Sequence, residues 1–386
     1  MTAPIMQDNN VKNNRLSPIL KWAGGKEQEL KHIHPNMPKK INNYYEPFIG
    51  GGAVYFSMNA KKMFINDKSH ELIDFYKAIA SKDKIFFTVI DETITNWSLL
   101  EKIIDNNREI FIGNYKGFAN GIYDENRIKD NIYEFVLNHG NEFEGMFKTS
   151  FNINIENFVL EIRKNILSKM KRMKKIESER GKLPDSDILD NMESSLKSAF
   201  YMHFRHLYNN IKKYEIKSSF ATAIFFFIRN YAYSGMFRYN KSGSFNVPYG
   251  GIGYNRKNLS KKVEYLQSND LIEHLEKTTI DNLDFEEFFI KNKPKKDDFI
   301  FLDPPYDSEF STYAQNEFTR DDQTRLANYL IENCKANWMM IIKHTSFIYD
   351  LYNKPNITIS SFDKKYLVSF QNRNDKDVQH LVISNY

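Results

Sequence analysis

Short apolar runs closed by turn residues alternate with helical periodicity towards both ends of the chain, and longer helical patterns fill its middle. Near the amino end, Tyr44-Tyr45-Glu46-Pro47-Phe48 reads as the end of a strand. Gly50-Gly51-Gly52 follows as a tight turn, Ala53 to Asn59 as a helix, and Met63-Phe64-Ile65-Asn66-Asp67 as a second strand. In the last third, Phe299-Ile300-Phe301-Leu302 is apolar throughout, the pattern of a parallel strand buried on both faces. The spacing then predicts a helix over Arg320 to Cys334 and a strand over Trp338 to Ile342. Two closing strands are expected, Lys365 to Phe370 and Val378 to Ser384, joined by a polar loop over 371–377. Between the two ends, Asp83 to Leu275 is helical in period and polar on its faces, with 177–191 reading as a linker. The predicted architecture is α/β: a split core of residues 1–82 and 276–386, interrupted by a large, mainly helical insertion over 83–275.

Composition narrows this picture only in places. A chain of 386 residues can bury a full core without disulfide or metal staples. Cys334 is its single cysteine, so neither a disulfide framework nor a cysteine-rich zinc cluster forms within it. Met1 to Asn14 is polar, with no apolar signal core, and no apolar run approaches the roughly 20 residues of a membrane span. A soluble, cytoplasmic protein is expected. The formal charge of +5 is too mild to argue for a nucleic-acid partner. Arg163, Lys164, Lys169, Lys171, Arg172, Lys174 and Lys175 form a basic cluster at helical spacing, and a solvated helix face is favoured over a phosphate-contacting one.

The chemistry concentrates in two places. A glycine-rich turn after a strand lets the backbone approach a ligand closely, and Phe48-Ile49-Gly50-Gly51-Gly52 is such a turn. An acid ending the next strand, Asp67, suits the two hydroxyls of a ribose. The turn lacks the Gly-Lys-Ser/Thr of a phosphate-binding loop, which fits a cofactor without phosphate such as S-adenosylmethionine. Gly250-Gly251-Ile252-Gly253 is not framed by a strand and a helix and reads as a decoy.

The second place is Asp303-Pro304-Pro305-Tyr306, at the carboxyl end of the apolar strand, where open α/β sheets bind ligands. An exocyclic aryl amine is a poor nucleophile because its lone pair is delocalised into the ring. The Asp303 carboxylate and the Pro304 carbonyl can accept its two N–H bonds and draw the nitrogen towards a tetrahedral shape, aiming the lone pair at a sulfonium methyl. Proline fixes that carbonyl without a competing N–H, and Tyr306 offers a face on which an extruded base can stack.

Several ordered blocks resemble the α group of the Dam-type DNA adenine-N6 methyltransferases. They are Lys21-Trp22-Ala23-Gly24-Gly25-Lys26, Glu46-Pro47-Phe48-Ile49-Gly50-Gly51-Gly52, Asn66-Asp67, the segment Arg229 to Tyr239, Phe245-Asn246-Val247-Pro248-Tyr249-Gly250, and Asp303 to Tyr306. The resemblance implies a Rossmann-like class I methyltransferase sheet, mostly parallel, with the insertion forming a DNA target-recognition domain around a hairpin at about 229–250. It implies S-adenosylmethionine as cofactor, S-adenosylhomocysteine as product, no metal, and double-stranded DNA as partner. Trp22 and Lys26 would line the methionine end of the cofactor, Asp67 its ribose, and Asp284-Phe285 its adenine, with Glu46, Phe48, Gly50, Gly52 and Asp303 completing the cofactor site. Asp303, Pro304, Pro305 and Tyr306 would be catalytic. Lys21, Tyr233, Ser234 and Arg238 would meet DNA, Tyr233 as the wedge in the base stack and Arg238 as the reader of a guanine. Ser234 stands where the family often has asparagine, and the chain between Asp67 and Tyr233 is longer than in compact members, so the target need not be GATC. A separate cognate restriction endonuclease is compatible with such an enzyme, and the sequence fixes no oligomeric state.

Competing chemistries find less support. His203 and His206 share a helical spacing but lack further ligands for a metal, which leaves packing or phosphate contact. Cys334 has none of the surroundings of a nucleophilic thiolate, which disfavours a cytosine-C5 mechanism. The alternatives are an amino methyltransferase acting on RNA adenine or a protein amide, and an inactive relative that only binds DNA. Protein-amide enzymes usually carry Asn in place of Asp303, and the intact tetrapeptide argues against an inactive relative.

Overall fold

Seven strands lie in one sheet: β1 (Asn43–Glu46), β2 (Lys62–Asn66), β3 (Thr278–Asp281), β4 (Phe299–Leu302), β5 (Asn337–Lys343), β6 (Thr358–Lys365) and β7 (Asp377–Ser384). The computed structural model describes residues 16–22, 24–143, 153–306, 318–365 and 377–386. The strand order is β3-β2-β1-β4-β5-β7-β6. β1 to β5 pair in parallel, and β7 enters antiparallel between β5 and β6. This is a mixed α/β, mostly parallel sheet of Rossmann-like kind.

The central strands are apolar because they are covered on both faces. All four residues of β4 are buried, as are the five central residues of β5. On one face, Phe288, Phe289, Leu326, Leu330 and Ile348 pack against Ile300, Leu302, Trp338 and Met340. Each such side chain removed from water contributes about 1.5–3 kcal/mol. The β1–β4 register is tied at its amino end by the buried Asp298. Its Oδ1 accepts from the backbone and side-chain nitrogens of Asn43 at 3.2 and 2.9 Å, and its Oδ2 accepts from the Lys295 amide at 2.9 Å. Tyr44 pairs with Phe299 and Tyr45 with Ile300, which sets the carboxyl ends of β1 and β4 side by side. The strand order reverses at that point, where ligand crevices form in open α/β sheets.

Several expected elements are corrected. Ala53 to Asn59 contains only a single turn of 3₁₀ helix, Tyr55–Ser57. Every residue from Ala53 to Met58 is buried, so the stretch has no polar face to turn to water as an amphipathic helix does. The expected linker at 177–191 is two helices, Ile155–Arg180 and Asp185–Asn209, separated by four residues. Gly181, at φ 94°, ends the first helix, and the Glu177 carboxylate accepts from the Leu183 amide across the gap at 3.0 Å. Asp185 and Asp187 then favour the amino end of the second. β6 lies earlier than the strand expected at Lys365 to Phe370, most of which falls outside the described residues. The helix from Arg320 is regular to Asn328 and closes with a π turn over Tyr329–Asn333.

The chain divides into two compact units: the sheet, built from residues up to Ser81 and from Leu266 onwards, and Lys82–Tyr265. The second unit holds the long helices Lys84–Asn106, Ile155–Arg180 and Asp185–Asn209, together with Ser218–Tyr231. Its core is aromatic: Trp97 lies 4.2 Å from Tyr231 and 5.5 Å from Phe227, ring centre to ring centre, and Phe227 lies 5.5 Å from Phe200. The basic cluster is largely matched by acids within the unit. Arg163, Lys164, Lys171 and Lys175 each have a carboxylate within 4.0 Å, and Lys174 donates to the Phe118 carbonyl at 3.1 Å. His203 is packed against Phe158 and bonded to Asn157 at 3.1 Å, and burial pushes its pKa down to about 4. His206 pairs with Tyr214 at 2.9 Å. Both histidines are therefore engaged in packing and local hydrogen bonds. Among the described residues, no helix is long and apolar enough to cross a membrane.

Candidate active site

The glycine turn leaves β1 and is tied to the neighbouring strand β2 and to the helix that follows it. The Ile49 amide donates to the Asn66 carbonyl at 2.9 Å, and the Tyr76 hydroxyl donates to the Gly50 carbonyl at 3.2 Å. Gly50 (φ 47°) and Gly52 (φ 76°) both occupy the left-handed region that favours glycine. Space excludes side chains there as well. A Cβ on Gly50 would lie 2.9 Å from Trp22 Cδ1, and one on Gly52 would lie 2.5 Å from the Tyr76 hydroxyl.

Asp67 follows β2 and is tied to this turn. Its Oδ2 accepts from the Gly50 amide and its Oδ1 from the Ser69 amide, both at 3.0 Å. Burial raises its pKa to about 6, although the amides of Ser69, Gly50 and Lys68 pull the other way and the Asp303 charge adds to the rise. Glu46, at the end of β1, is 2% exposed and accepts from the Tyr44 hydroxyl at 2.6 Å. Burial, opposed by that hydrogen bond and reinforced by Asp303, holds its pKa well above the usual carboxylate range.

β4 delivers Asp303 directly beside these groups. Lys26, 2% exposed, donates to Asp303 Oδ1 at 2.5 Å and to the Gly24 carbonyl at 2.9 Å, and its ammonium stands 5.7 Å from the centre of the Tyr306 ring. The structure thus brings Trp22, Lys26, Glu46, Gly50, Gly52, Asp67, Asp303 and Tyr306 into one neighbourhood. Phe48 lies in the segment between Glu46 and Gly50, with its ring centre 6.0 Å from that of Phe285. Pro304 is buried and Pro305 exposed.

Asp284 has structural tasks of its own. It caps the helix Phe285–Asn292 in a capping box with Glu287, and its Oδ1 lies 2.8 Å from Arg325. The neighbouring Phe285 is buried beneath that guanidinium, 4.8 Å from its ring centre. Lys21 is exposed.

In the second unit, the hairpin after the helix Ser218–Tyr231 is tied by two isolated bridges, Ala232↔Tyr249 and Tyr239↔Phe245. The helix Asp185–Asn209 holds its returning arm. Asn209 exchanges two hydrogen bonds with the Phe245 backbone at 2.8 and 3.0 Å, and the Tyr201 hydroxyl donates to the Val247 carbonyl at 3.0 Å. Tyr233 is 46% exposed. Ser234 is exposed at φ 52°, a conformation more natural to asparagine or glycine. Arg238 is exposed, and its Nε donates to Asn246 Oδ1 at 3.2 Å. Arg229 is buried, with its guanidinium 4.4 Å from the Phe237 ring centre, and burial lowers its pKa to about 10.

One contributor carries no sequence signal, and one motif residue acts through contacts that its motif does not show. Tyr76 supports the turn from a helix 26 residues away. Asn66 bridges Pro47 and Leu283, donating to both carbonyls at 3.1 and 3.0 Å and accepting from the Leu283 amide at 2.8 Å. Cys334 is removed from chemistry: burial pushes its thiol up to about 11, opposite to what a nucleophile needs.

A mostly parallel sheet with a glycine turn, a half-buried acid just after the next strand and an Asp-Pro-Pro-Tyr end at the reversal point defines an α/β enzyme of the methyltransferase kind. The comparison with known proteins narrows this: residues 22–368 match the D12 class N6 adenine-specific DNA methyltransferases, and the chain belongs to that family. It is similar to the Type II methyltransferase M.CviBI of Paramecium bursaria Chlorella virus NC1A, 25% identical over 377 residues that span 96% of this chain and 100% of that protein. The Type II methyltransferase M.MjaIII of Methanocaldococcus jannaschii is also 25% identical, over 96% of this chain and 99% of its own. The DNA adenine methylase of Vibrio cholerae is 21% identical over 84% of this chain and 79% of its own. The chain is an adenine-specific DNA methyltransferase acting at N6.

Proposed function

We propose that this enzyme moves the methyl group of S-adenosylmethionine to N6 of an adenine flipped out of double-stranded DNA, at a defined sequence. The observation that carries this reading is the pairing of Asp303 with Lys26 beside the Gly50–Asp67 turn.

The residues fit the cofactor. The Gly50 amide is committed to Asp67 and is not offered to a phosphate, and S-adenosylmethionine has none. Both Asp67 oxygens keep a lone pair for the ribose hydroxyls after accepting from the backbone. Trp22 flanks the turn, Lys26 supplies charge and Glu46 hydrogen-bonding oxygens for the amino-acid end, and Phe48 with Phe285 forms an apolar wall for the base. When bound, the cofactor supplies an electrophilic methyl on a cationic sulfur. Asp303 and the Pro304 carbonyl accept the two N–H bonds of adenine N6, and Tyr306 stacks on the extruded ring. Asp303 need not take a proton before transfer, so it acts by orientation and charge.

Cofactor binding is expected to depend on Asp67 ionisation. Above pH 6 the carboxylate is ionised and accepts from both hydroxyls; below it a proton occupies one acceptor position and affinity falls. Calorimetric titration of S-adenosylmethionine between pH 5 and pH 8 should show this weakening on the acid side. Asp67→Asn should bind about 10–100-fold more weakly, as expected for losing hydrogen bonds to a charged group, with a flattened acid limb. An acid limb of the same depth in the variant would remove the assignment.

The hairpin residues Tyr233, Ser234 and Arg238, with Lys21, are assigned to DNA. Two of the relatives are Type II methyltransferases by name, which supports a role beside a cognate restriction endonuclease that shares the target. Mapping N6-methyladenine in the genome of cells expressing the chain tests the whole reading. One short recurring sequence is expected, and methyl incorporation confined to RNA or protein would overturn it.

A further inference from the structure

The Asp303–Tyr306 segment is gripped by two buried side chains that belong to no motif. Gln323, in the helix Arg320–Asn328, has 0% exposure and donates from Nε2 to the Pro305 carbonyl at 2.7 Å. A carbonyl only accepts, so the amide must present its nitrogen there. Its Oε1 is buried with no hydrogen-bond partner among the described residues, a desolvation penalty that an apolar side chain would avoid. His380, in β7, also has 0% exposure, and its Nε2 lies 3.1 Å from the Tyr306 hydroxyl. Its ring packs on the Tyr306 ring at 5.7 Å and on that of its cross-strand partner Phe362 at 5.8 Å.

Backbone stereochemistry shows why such a grip is needed. Proline fixes φ at positions 304 and 305. A residue that precedes proline is also restricted in ψ, so Asp303 and Pro304 are confined by the sequence itself. Pro305 precedes Tyr306, and its ψ has no such restriction. That torsion sets where the Tyr306 ring goes, and rotating it swings the carbonyl that Gln323 holds.

We propose that Gln323 and His380 are positioning residues for methyl transfer: Gln323 locks the Pro305 torsion, and His380 locks the Tyr306 ring through its hydroxyl. The inference rests on the reading of Asp303 to Tyr306 given above. Both side chains act on the geometry of the base and not on the cofactor turn, so their loss affects the transfer step and leaves cofactor affinity in place.

The test is single-turnover transfer of labelled methyl from S-adenosylmethionine to unmethylated genomic duplex DNA, alongside cofactor titration and thermal melting. Gln323→Leu and His380→Phe should each lower the rate about 10–100-fold with cofactor affinity within about twofold of the parent. His380→Gln, which keeps a hydrogen-bonding group, should recover part of the loss. In a Tyr306→Phe background, His380→Phe should cause no further loss, while Gln323→Leu still should. Parental rates in either single variant would overturn the inference for that residue, and equal losses from His380→Phe in both backgrounds would overturn the route through the hydroxyl. If His380→Phe melts without cooperativity, Tyr306→Phe decides, since it removes only the hydroxyl; if Gln323→Leu does, the isosteric Gln323→Met decides. Asp303→Ala is run in parallel. Activity in that variant sinks the reading of the site, whereas an inactive Asp303→Ala beside fully active positioning variants sinks this inference alone.

Discussion

Asp303→Ala is expected to abolish measurable methyl transfer while DNA binding survives. Removing one well-placed electrostatic partner of a reacting group typically lowers a rate by about 10²–10³-fold, and in the proposed mechanism the same carboxylate also sets the hybridisation of the nucleophile. The variant should melt earlier as well. Lys26 is 2% exposed and loses its carboxylate partner, and breaking a buried ion pair from one side costs about 3–5 kcal/mol; the hydrogen bond to the Gly24 carbonyl places the effect towards the lower end. Asp303→Asn keeps an oxygen acceptor and a similar volume, so it should be less destabilised yet still slow. Gel-shift titration, melting and methyl incorporation on the same preparations separate the outcomes, and parental incorporation by Asp303→Ala would refute the mechanism.

Arg238→Ala should change where the enzyme methylates more than how fast it does so. An exposed guanidinium on a hairpin can take guanine O6 and N7 together in the major groove, a contact that discriminates by about 1–3 kcal/mol. Its loss corresponds to roughly 5–150-fold at one base of the target. The Asn246 side chain pre-orients that guanidinium through Nε and leaves both terminal nitrogens for the base. Genome-wide mapping of N6-methyladenine for parent and variant should show one position of the target becoming degenerate. An unaltered methylation profile would remove Arg238 from the role of reader.

What the sequence disclosed, and what it concealed, follow a physical line. β4 was legible because a four-residue apolar run ending in Asp-Pro-Pro-Tyr needs no partner to be recognised. The Gly50 turn and Asp67 were legible because local backbone geometry dictates their residue types. The helix expected at Ala53 to Asn59 failed because full burial on every side erases the periodicity that separates a helix from a compact turn. The linker expected at 177–191 failed for the opposite reason: solvated helix ends and loops share the same polar composition, and only the Gly181 conformation separates them. Tyr76, Gln323 and His380 were invisible because each acts on a backbone carbonyl or hydroxyl far away in sequence. Such long-range hydrogen bonds follow from the assembled sheet and leave no local pattern.

The interrupted sheet also shapes how the molecule comes into being. β2 and β3 are parallel neighbours, yet the whole of Lys82–Tyr265 lies between them in the chain. Bringing the ends of so long an unstructured loop together would cost roughly 5 kcal/mol in entropy. Pairings of this separation are intrinsically slow to nucleate. The helical unit has its own aromatic core and can organise before that pairing, and the helices His70–Ala80 and Asn269–Glu276 that flank it in the chain touch in the finished fold. During synthesis, the first two strands therefore emerge long before β3 and β4 that flank them, and the proposed cofactor site is complete only when the last third of the chain has been made.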